Sequence, residues 1–248
     1  MNKKLFKVLL PLSFISLIGT GVATTVLLTS CSKTPAPTGN VGNDTGTDWA
    51  GYESGSMHIE LDASTHTATI DKEETNYTAH NLVFPDKIVK NGVVYDKIVI
   101  GQGAFEKNKT GLTGTLTLSQ SVISIGGGAF KDCSNLTGDL IIPNSVTSID
   151  AYGFSNCTGF TGLTIPNSVT TIGIEAFNLC TNIFNIDLSE WNEQPTSWEE
   201  LIFPSVGNNA TSPKVAYVGN EWDTEEAKTY LSSRALEVGS DNFSVQHK

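Results

Sequence analysis

The sequence predicts a β-rich α/β solenoid: a short array of coils with an N-terminal β cap and a C-terminal α/β cap. Three observations predict it. One phrase is written four times between Tyr95 and Trp191: Ile100-Gly101…Ala104-Phe105, Ile125-Gly126…Ala129-Phe130, Ile149-Asp150…Gly153-Phe154 and Ile172-Gly173…Ala176-Phe177, with the phenylalanines 25, 24 and 23 residues apart. Residues 49–94 carry short alternating apolar runs. After Leu188 the phrase stops and a helix-capping signature follows. A fixed period in the low twenties marks a solenoid, because each copy can bury its apolar face only against its neighbours.

Residues 1–30 read as an export signal. Lys3, Lys4 and Lys7 form a positive start, and Leu5 to Leu28 is largely apolar, broken by Pro11, Gly19 and Gly21. The segment ends Leu28-Thr29-Ser30-Cys31, which resembles the lipobox of bacterial lipoproteins. In that chemistry the Cys31 thiol takes a diacylglycerol, followed by cleavage on its N-terminal side. Two acyl chains hold where one does not, at about 0.8 kcal/mol per buried methylene. A plain membrane-spanning helix is the alternative, since the apolar stretch nearly reaches that length. The cysteine placed directly after two small residues favours lipidation. No cofactor is expected beyond this covalent lipid.

Residues 31–48 form the lipidated cysteine and a tether. Pro, Gly, Thr and Asn dominate from Ser32 to Asp48, with no apolar periodicity. A flexible segment of this length spans roughly 20–25 Å on average. Residues 49–94 form the β cap: Met57-His-Ile-Glu-Leu61, Thr67-Ala-Thr-Ile70 and Leu82-Val-Phe84 alternate, with turn residues between. An open solenoid end exposes apolar groups and an unpaired edge, which a terminal unit must cover. Leu82-Val-Phe84-Pro85 also reads as a degenerate copy joining cap to array.

Residues 95–191 hold about four copies. A Cys follows each Phe by three residues at Cys133, Cys157 and Cys180, with Asn108 in that slot of the first copy; Leu-Thr-Gly and Pro-Asn-Ser-Val elements come next. The drift in period has a local origin. Phe160-Thr-Gly-Leu163 has no extra residue, Leu136-Thr-Gly-Asp-Leu140 has one, and the copy at Leu112-Thr-Gly-Thr-Leu116 has that one and another before Leu112. Such insertions fall in bends and leave the register intact.

L-x-x-L-x-L followed by Pro, Ser-Val, Ile-Gly, Ala-Phe and Cys resembles the BspA-like branch of bacterial leucine-rich repeats, over roughly Leu82 to Leu188. Ser119 in place of Pro, and Tyr152-Gly153 in place of Gly-Ala, depart from the pattern. The resemblance implies a cell-surface lipoprotein or wall-attached protein with a role in adhesion. It also implies that the slot of Asn108, Cys133, Cys157 and Cys180 is a structural ladder, buried at the bend and bonded to loop backbone. A disulfide between neighbouring coils is the alternative, since coils stack at about 4.8 Å. A metal site lacks a fourth ligand in register.

Residues 192–248 form the second cap. Trp198 and Phe203, after Trp191, supply bulk to close the last coil, and Val215-Ala-Tyr-Val218 reads as a strand. Asp223-x-x-Glu226 opens a short helix, with Ala227, Tyr230, Leu231 and Arg234 at helical spacing. Asp241 to Lys248 is a frayed end or a last strand.

The chain has 26 acidic and 15 basic residues; without residues 1–30 the count is 26 against 12, a net charge of −14. That surface disfavours nucleic acid and bare anionic lipid as partners. The four histidines, His58, His66, His80 and His247, stand at no ligand spacing. No G-x-S-x-G, phosphate loop or H-E-x-x-H occurs, and Gly126-Gly-Gly128 lacks the lysine of a phosphate cradle. Late carboxylates such as Glu190, Glu193, Glu199 and Glu226 read as a solvated acidic cap. No enzyme activity and no small-molecule substrate are expected.

The sheet face remains. The middle residue of each L-x-L strand points outward, which puts Thr117, Ile141, Thr164 and Asp187 in one row as a protein-binding face. The expected protein sits on the outer side of the cell membrane, held by its acyl anchor, and contacts an extracellular protein partner, with adhesion as its role. A surface coat or antigen without a specific ligand is one alternative. A solute-binding lipoprotein of a transporter is another, although the chain lacks the helices for two lobes around a cleft.

Overall fold

The computed structural model describes residues 24–27, 58–71, 79–106, 110–210, 214–234, 236 and 243–248. Cys31, the tether, most of the export signal and Asn108 lie outside these residues. In chain order the strands are β1 (Thr24–Leu27), β2 (His58–Asp62), β3 (Thr67–Ile70), β4 (Ala79–Val83), β5 (Ile88–Lys90), β6 (Val93–Tyr95), β7 (Lys97–Ile100), β8 (Leu112–Thr117) and β9 (Val122–Ile125). They continue as β10 (Gly138–Ile141), β11 (Ser148–Ile149), β12 (Phe160–Thr164), β13 (Thr171–Ile172), β14 (Asn185–Leu188) and β15 (Val215–Val218). Helix α1 (Thr224–Ser233) and β16 (Ser244–His247) close the described chain.

Each coil contributes one strand to each of two parallel stacks. One stack runs β3, β7, β9, β11, β13, and the other β10, β12, β14, β15, β16, with β4 and β8 as a separate pair beside it. Among the described residues, antiparallel pairing is confined to β1–β2, β2–β3 and the hairpin β5–β6. The cap strand β3 joins β7 in parallel with Ile70 opposite Ile100, so the coil geometry begins before the first copy of the phrase. Strand β1 falls within the segment read as the export signal.

The repeated phrase packs by stacking like on like. Phe105, Phe130, Phe154, Phe177 and Phe203 form a buried column, with centroid separations of 5.0, 5.1, 5.7 and 5.8 Å and ring planes within 16° of parallel. Aromatic pairs of this kind contribute about 0.5–1.5 kcal/mol each beyond their buried area. Beside the column, the thiols of Cys133, Cys157 and Cys180 donate to the carbonyls of Phe105, Phe130 and Phe154, at 3.7, 3.1 and 3.2 Å. All three are buried, and none is in a disulfide. Burial, followed by the neighbouring thiols, pushes the Cys157 pKa well up; burial pushes Cys180 up to about 12. The array extends past Trp191: Phe203 occupies the next rung, with Leu201-Ile202 in place of Gly-Ala.

The Ile-Gly pair sits where coils come closest. Gly126 and Gly173 donate their amides to Ile100 and Ile149 of the preceding coil at 2.7 and 2.8 Å. A Cβ on Gly173 would lie 2.4 Å from the Ala151 nitrogen. Two further slots per bend are left-handed. Gly103, Gly128, Tyr152, Glu175 and Leu201, two residues before each Phe, have φ of 54–63°, and Asp132, Asn156, Leu179 and Ser205, two residues after, have φ of 59–64°.

The closing cap replaces repetition with large aromatics. In the fifth coil a bridge between Ile172 and Trp198 stands where the second strand would be. The Trp191 and Trp198 indoles donate to the carbonyls of Ile165 and Val169 at 3.0 and 3.1 Å, satisfying backbone groups of the preceding coil. In the sixth coil β15 pairs with β14 and α1 supplants the second strand. Asp223 caps α1, accepting from the amides of Glu225 and Glu226, and Ala227, Tyr230 and Leu231 are its buried face. The Arg234 carbonyl at its end accepts from the Phe203 amide at 3.0 Å, where a further coil would dock.

Candidate functional site

One outward surface is the five-stranded stack that contains β12. Its register aligns Ile141, Thr164 and Asp187 directly, and continues the row to Tyr217 and Gln246. Thr117 aligns with Val83 in the β4–β8 pair. Between β8 and β10 the pairing shrinks to a bridge at Gly114 and Leu136, and the Thr137 amide and hydroxyl both donate to the Gly114 carbonyl. Register shifts flank the break on both sides: Gly114-Thr115 oppose the single Asn81 in the β4–β8 pair, and another shift falls after Gly138 in the β10–β12 pair. The row is therefore two pieces, Val83–Thr117 and Ile141 to Gln246. Val83, Tyr217 and Gln246 were not assigned to it from sequence; the L-x-L motif is absent at Tyr217 and Gln246, so only the pairing reveals them.

Residues on the row differ in what holds them. Ile141 is 60% exposed and Val83 50%, apolar side chains set open to solvent on a rigid sheet. Asp187 is half-buried and tied down: Lys248 Nζ stands 2.5 Å from Oδ2, and the Ser189 amide donates to Oδ1 at 3.0 Å. Burial pushes the Asp187 carboxyl up, but the hydrogen bonds from Lys248 and Ser189 together outweigh it and leave its pKa below 3.8. The same pair holds the Lys248 ammonium above its ordinary value. On the flanking row, Asp139 leans over Gly162, and its carboxylate accepts from the Thr161 hydroxyl at 3.0 Å.

A second concavity lies between the 192–196 loop and α1, an open groove of about 1090 Å³ rimmed by Glu193, Glu221, Glu225 and Glu226. Its two walls are joined where the buried Tyr230 hydroxyl donates to the Pro195 carbonyl at 2.9 Å. Glu225 is paired with Lys228 at 2.6 Å. Among the described residues, no three His, Cys, Asp or Glu side chains gather as metal ligands. Nor, among those residues, is any helix long and apolar enough to cross a membrane.

Stacked parallel strands, a repeated buried Phe and a hydrogen-bonded Cys slot define a leucine-rich repeat solenoid. Residues 98–205 match the model of the BspA type Leucine rich repeat region, in six copies. A leucine-rich repeat protein from Bacteroides capillosus ATCC 29799 is similar at 25% identity and a TM-score of 0.45, over 59% of this chain and 96% of that one. T. pallidum Leucine Rich Repeat protein (TpLRR) is similar at 18% identity and a TM-score of 0.47, over 76% and 97%. A leucine rich cell surface protein from Faecalibacterium prausnitzii A2-165 is similar at 21% identity and a TM-score of 0.44, over 79% of this chain and 55% of that one. No curated protein matches the chain.

Proposed function

We propose that this is a lipid-anchored surface protein whose repeat region makes protein–protein contact outside the cell, as an adhesin. The observation that carries the contact role is the row Ile141, Thr164, Asp187, Tyr217, Gln246, joined in spirit by Val83 and Thr117 on the neighbouring pair. It sets apolar, hydroxyl and charged side chains on a sheet held by parallel inter-strand pairing, and such preorganised faces lose little entropy on docking. The anchor reading rests on Leu28-Thr29-Ser30-Cys31 and the apolar run before it. With diacylglycerol on Cys31, residues 32–48 would hold the solenoid clear of the headgroups. No part of this reading calls for a cofactor, a nucleic acid or a turnover step.

The test is adhesion of bacterial cells displaying the full chain to host cells and to a panel of immobilised extracellular-matrix proteins. A variant with Thr117, Ile141, Thr164 and Asp187 all changed to Lys is displayed in parallel at equal surface density. Saturable adhesion that the variant loses supports the reading and puts the contact on the sheet face. Adhesion that both support equally moves the contact elsewhere. No saturable adhesion by either sinks the adhesin role and favours a coat or antigen. Export of a Cys31→Ala variant without membrane retention tests the anchor separately.

A further inference from the structure

We propose that the chain associates head to tail with a second copy of itself, the β5–β6 hairpin of one copy seating on an apolar strip along the bend of the other. The strip consists of Tyr152, Ile174, Leu179 and Leu201, exposed by 39, 41, 41 and 47%. Backbone hydrogen bonds tie the residues of the strip to the next coil: the Tyr152 amide donates to the Ile174 carbonyl at 3.1 Å, the Glu175 amide to the Leu201 carbonyl at 3.0 Å, and the Leu179 amide to the Pro204 carbonyl at 2.9 Å.

Folding does not account for the strip. Tyr152 and Leu201 occupy the left-handed slot that holds Gly103 and Gly128 in the first two coils, at φ of 61 and 54°. Leu179 occupies the other left-handed slot, at φ 59°, where its counterparts are Asp132, Asn156 and Ser205. A bulky side chain in this conformation is unfavourable relative to glycine, because its Cβ crowds the following carbonyl oxygen. Exposing it to water adds no compensation, so three residues are unfavourable in the isolated chain on both counts. The strip is edged with acid: Glu175 lies within it, and the exposed Glu199 and Glu200 directly precede Leu201. Lys131 stands 5.9 Å over the Tyr152 ring and is paired with Glu106.

The hairpin is the complementary feature, and it too is surplus to the repeat. Other coils link their two strands by a few residues, as in 118–121 between β8 and β9, whereas the first coil inserts β5 and β6 between β4 and β7. Ile88 and Tyr95 pair on the inward face and are buried; Val89 and Val94 pair on the outward face, with Val94 39% exposed. The turn at Asn91-Gly92 has φ of 52 and 78°, the positive values of a tight two-residue hairpin that keeps the valine pair rigid. From Ile88 to Tyr95 the single charge is Lys90, next to the tip; Lys87 and Lys97 stand at the base with Asp86 and Asp96.

An apolar knob with a cationic tip thus matches an apolar strip with an anionic rim, and both belong to this chain. The match is needed because a net charge of −11 repels copies from one another at long range. The two surfaces are different patches, so the contact is heterologous and propagates into open chains rather than closing as a two-fold dimer.

Cysteine cross-linking of the full-length chain tests this. Val94→Cys and Leu201→Cys variants are co-expressed in a Cys31→Ser background and mildly oxidised; Cys133, Cys157 and Cys180 are fully buried and stay silent. The mixture is expected to give covalent dimer that neither variant gives alone, and a chain carrying both substitutions to give a ladder of multimers. Lys90→Glu should lower the dimer yield by about tenfold, the effect of ~1.4 kcal/mol, and adding Glu175→Lys to the Leu201→Cys partner should restore it. A yield no higher than that of a Val83→Cys and Leu201→Cys pair overturns the proposal, as does a yield unchanged by Val89→Asp.

Discussion

The bend and the sheet face of this solenoid are built from the same coils under opposite rules. In the bend the slots repeat: Phe in five successive coils, Cys in three, glycine at the close approach. On the face each rung differs, as Ile141, Thr164, Asp187, Tyr217 and Gln246 do. The reason is geometric. A buried side chain stacks directly on its counterpart, so one rung's shape dictates the next, whereas an outward side chain meets solvent and is constrained by nothing above or below. Repetition therefore marks where the chain maintains its fold, and variety marks where it is free to recognise something.

The sharpest way to break the bend is to remove one rung. Phe154 is fully buried, stacked between Phe130 and Phe177 with Phe160 edge-on at 6.4 Å. Phe154→Ala leaves a cavity bounded by rigid rings that cannot collapse into it, and should cost about 3–5 kcal/mol. Urea unfolding would read this as a lower midpoint, and an unchanged midpoint would mean that the column does not carry the stability assigned to it. Gly173→Ala comes next. Its added methyl would press on the Ala151 nitrogen and the Asp150 carbonyl carbon, which are backbone and cannot swing away. An overpacking cost of about 1–3 kcal/mol follows.

These two rules also decide what could be read in advance. The period, the buried Phe and Cys slots, the strand at Val215–Val218 and the capped helix at Asp223 are carried by local patterns, and the structure has them at those residues. The fifth rung at Phe203 was legible only as bulk, because Leu201-Ile202 replaced Gly-Ala and the preceding strand had given way to Trp198. The outward direction of Thr117, Ile141, Thr164 and Asp187 follows from strand alternation. The break between β8 and β10, and the entry of Tyr217 and Gln246 into the row, depend on pairing between segments up to 30 residues apart, which no local pattern encodes. The left-handed slots were hidden by their occupants, since Tyr152, Leu179 and Leu201 are residues that ordinarily avoid such backbone.

The thiols offer a subtler test of the bend, through pH. The folded pKa values of Cys157 and Cys180 lie above the ordinary 9.0, so the folded chain holds these protons more tightly than the unfolded chain. Their contribution is complete below pH 9 and is lost as pH rises from 9 toward 12. The expected slope is about 1.4 kcal/mol per pH unit for each thiol that ionises only on unfolding. Cys157→Ala should start lower, having lost its bond to the Phe130 carbonyl, yet decline less steeply between pH 9 and 11. Parallel declines in wild type and variant would show that Cys157 does not ionise differently in the two states.

The face should respond least, with one exception that sharpens the contrast. Ile141→Ser removes an exposed methyl-bearing side chain that supports nothing beneath it, and should shift stability by no more than about 0.5 kcal/mol at any pH. Asp187 sits in the same row but is tied to Lys248 and Ser189. Asp187→Asn should cost below about 1 kcal/mol at neutral pH, because solvent reaches the pair and screens it. The pKa of Asp187 is lowered in the folded chain, so its contribution is present above the unfolded value near 3.8 and fades as pH falls through the folded one. Wild type and Asp187→Asn should therefore differ in melting temperature at pH 7, with the gap narrowing as pH falls below 3.8, while wild type and Ile141→Ser coincide throughout. A gap that did not narrow at all below pH 3.8 would trace the effect to packing rather than charge, and Asp187 would then obey the rule of the bend although it stands on the face.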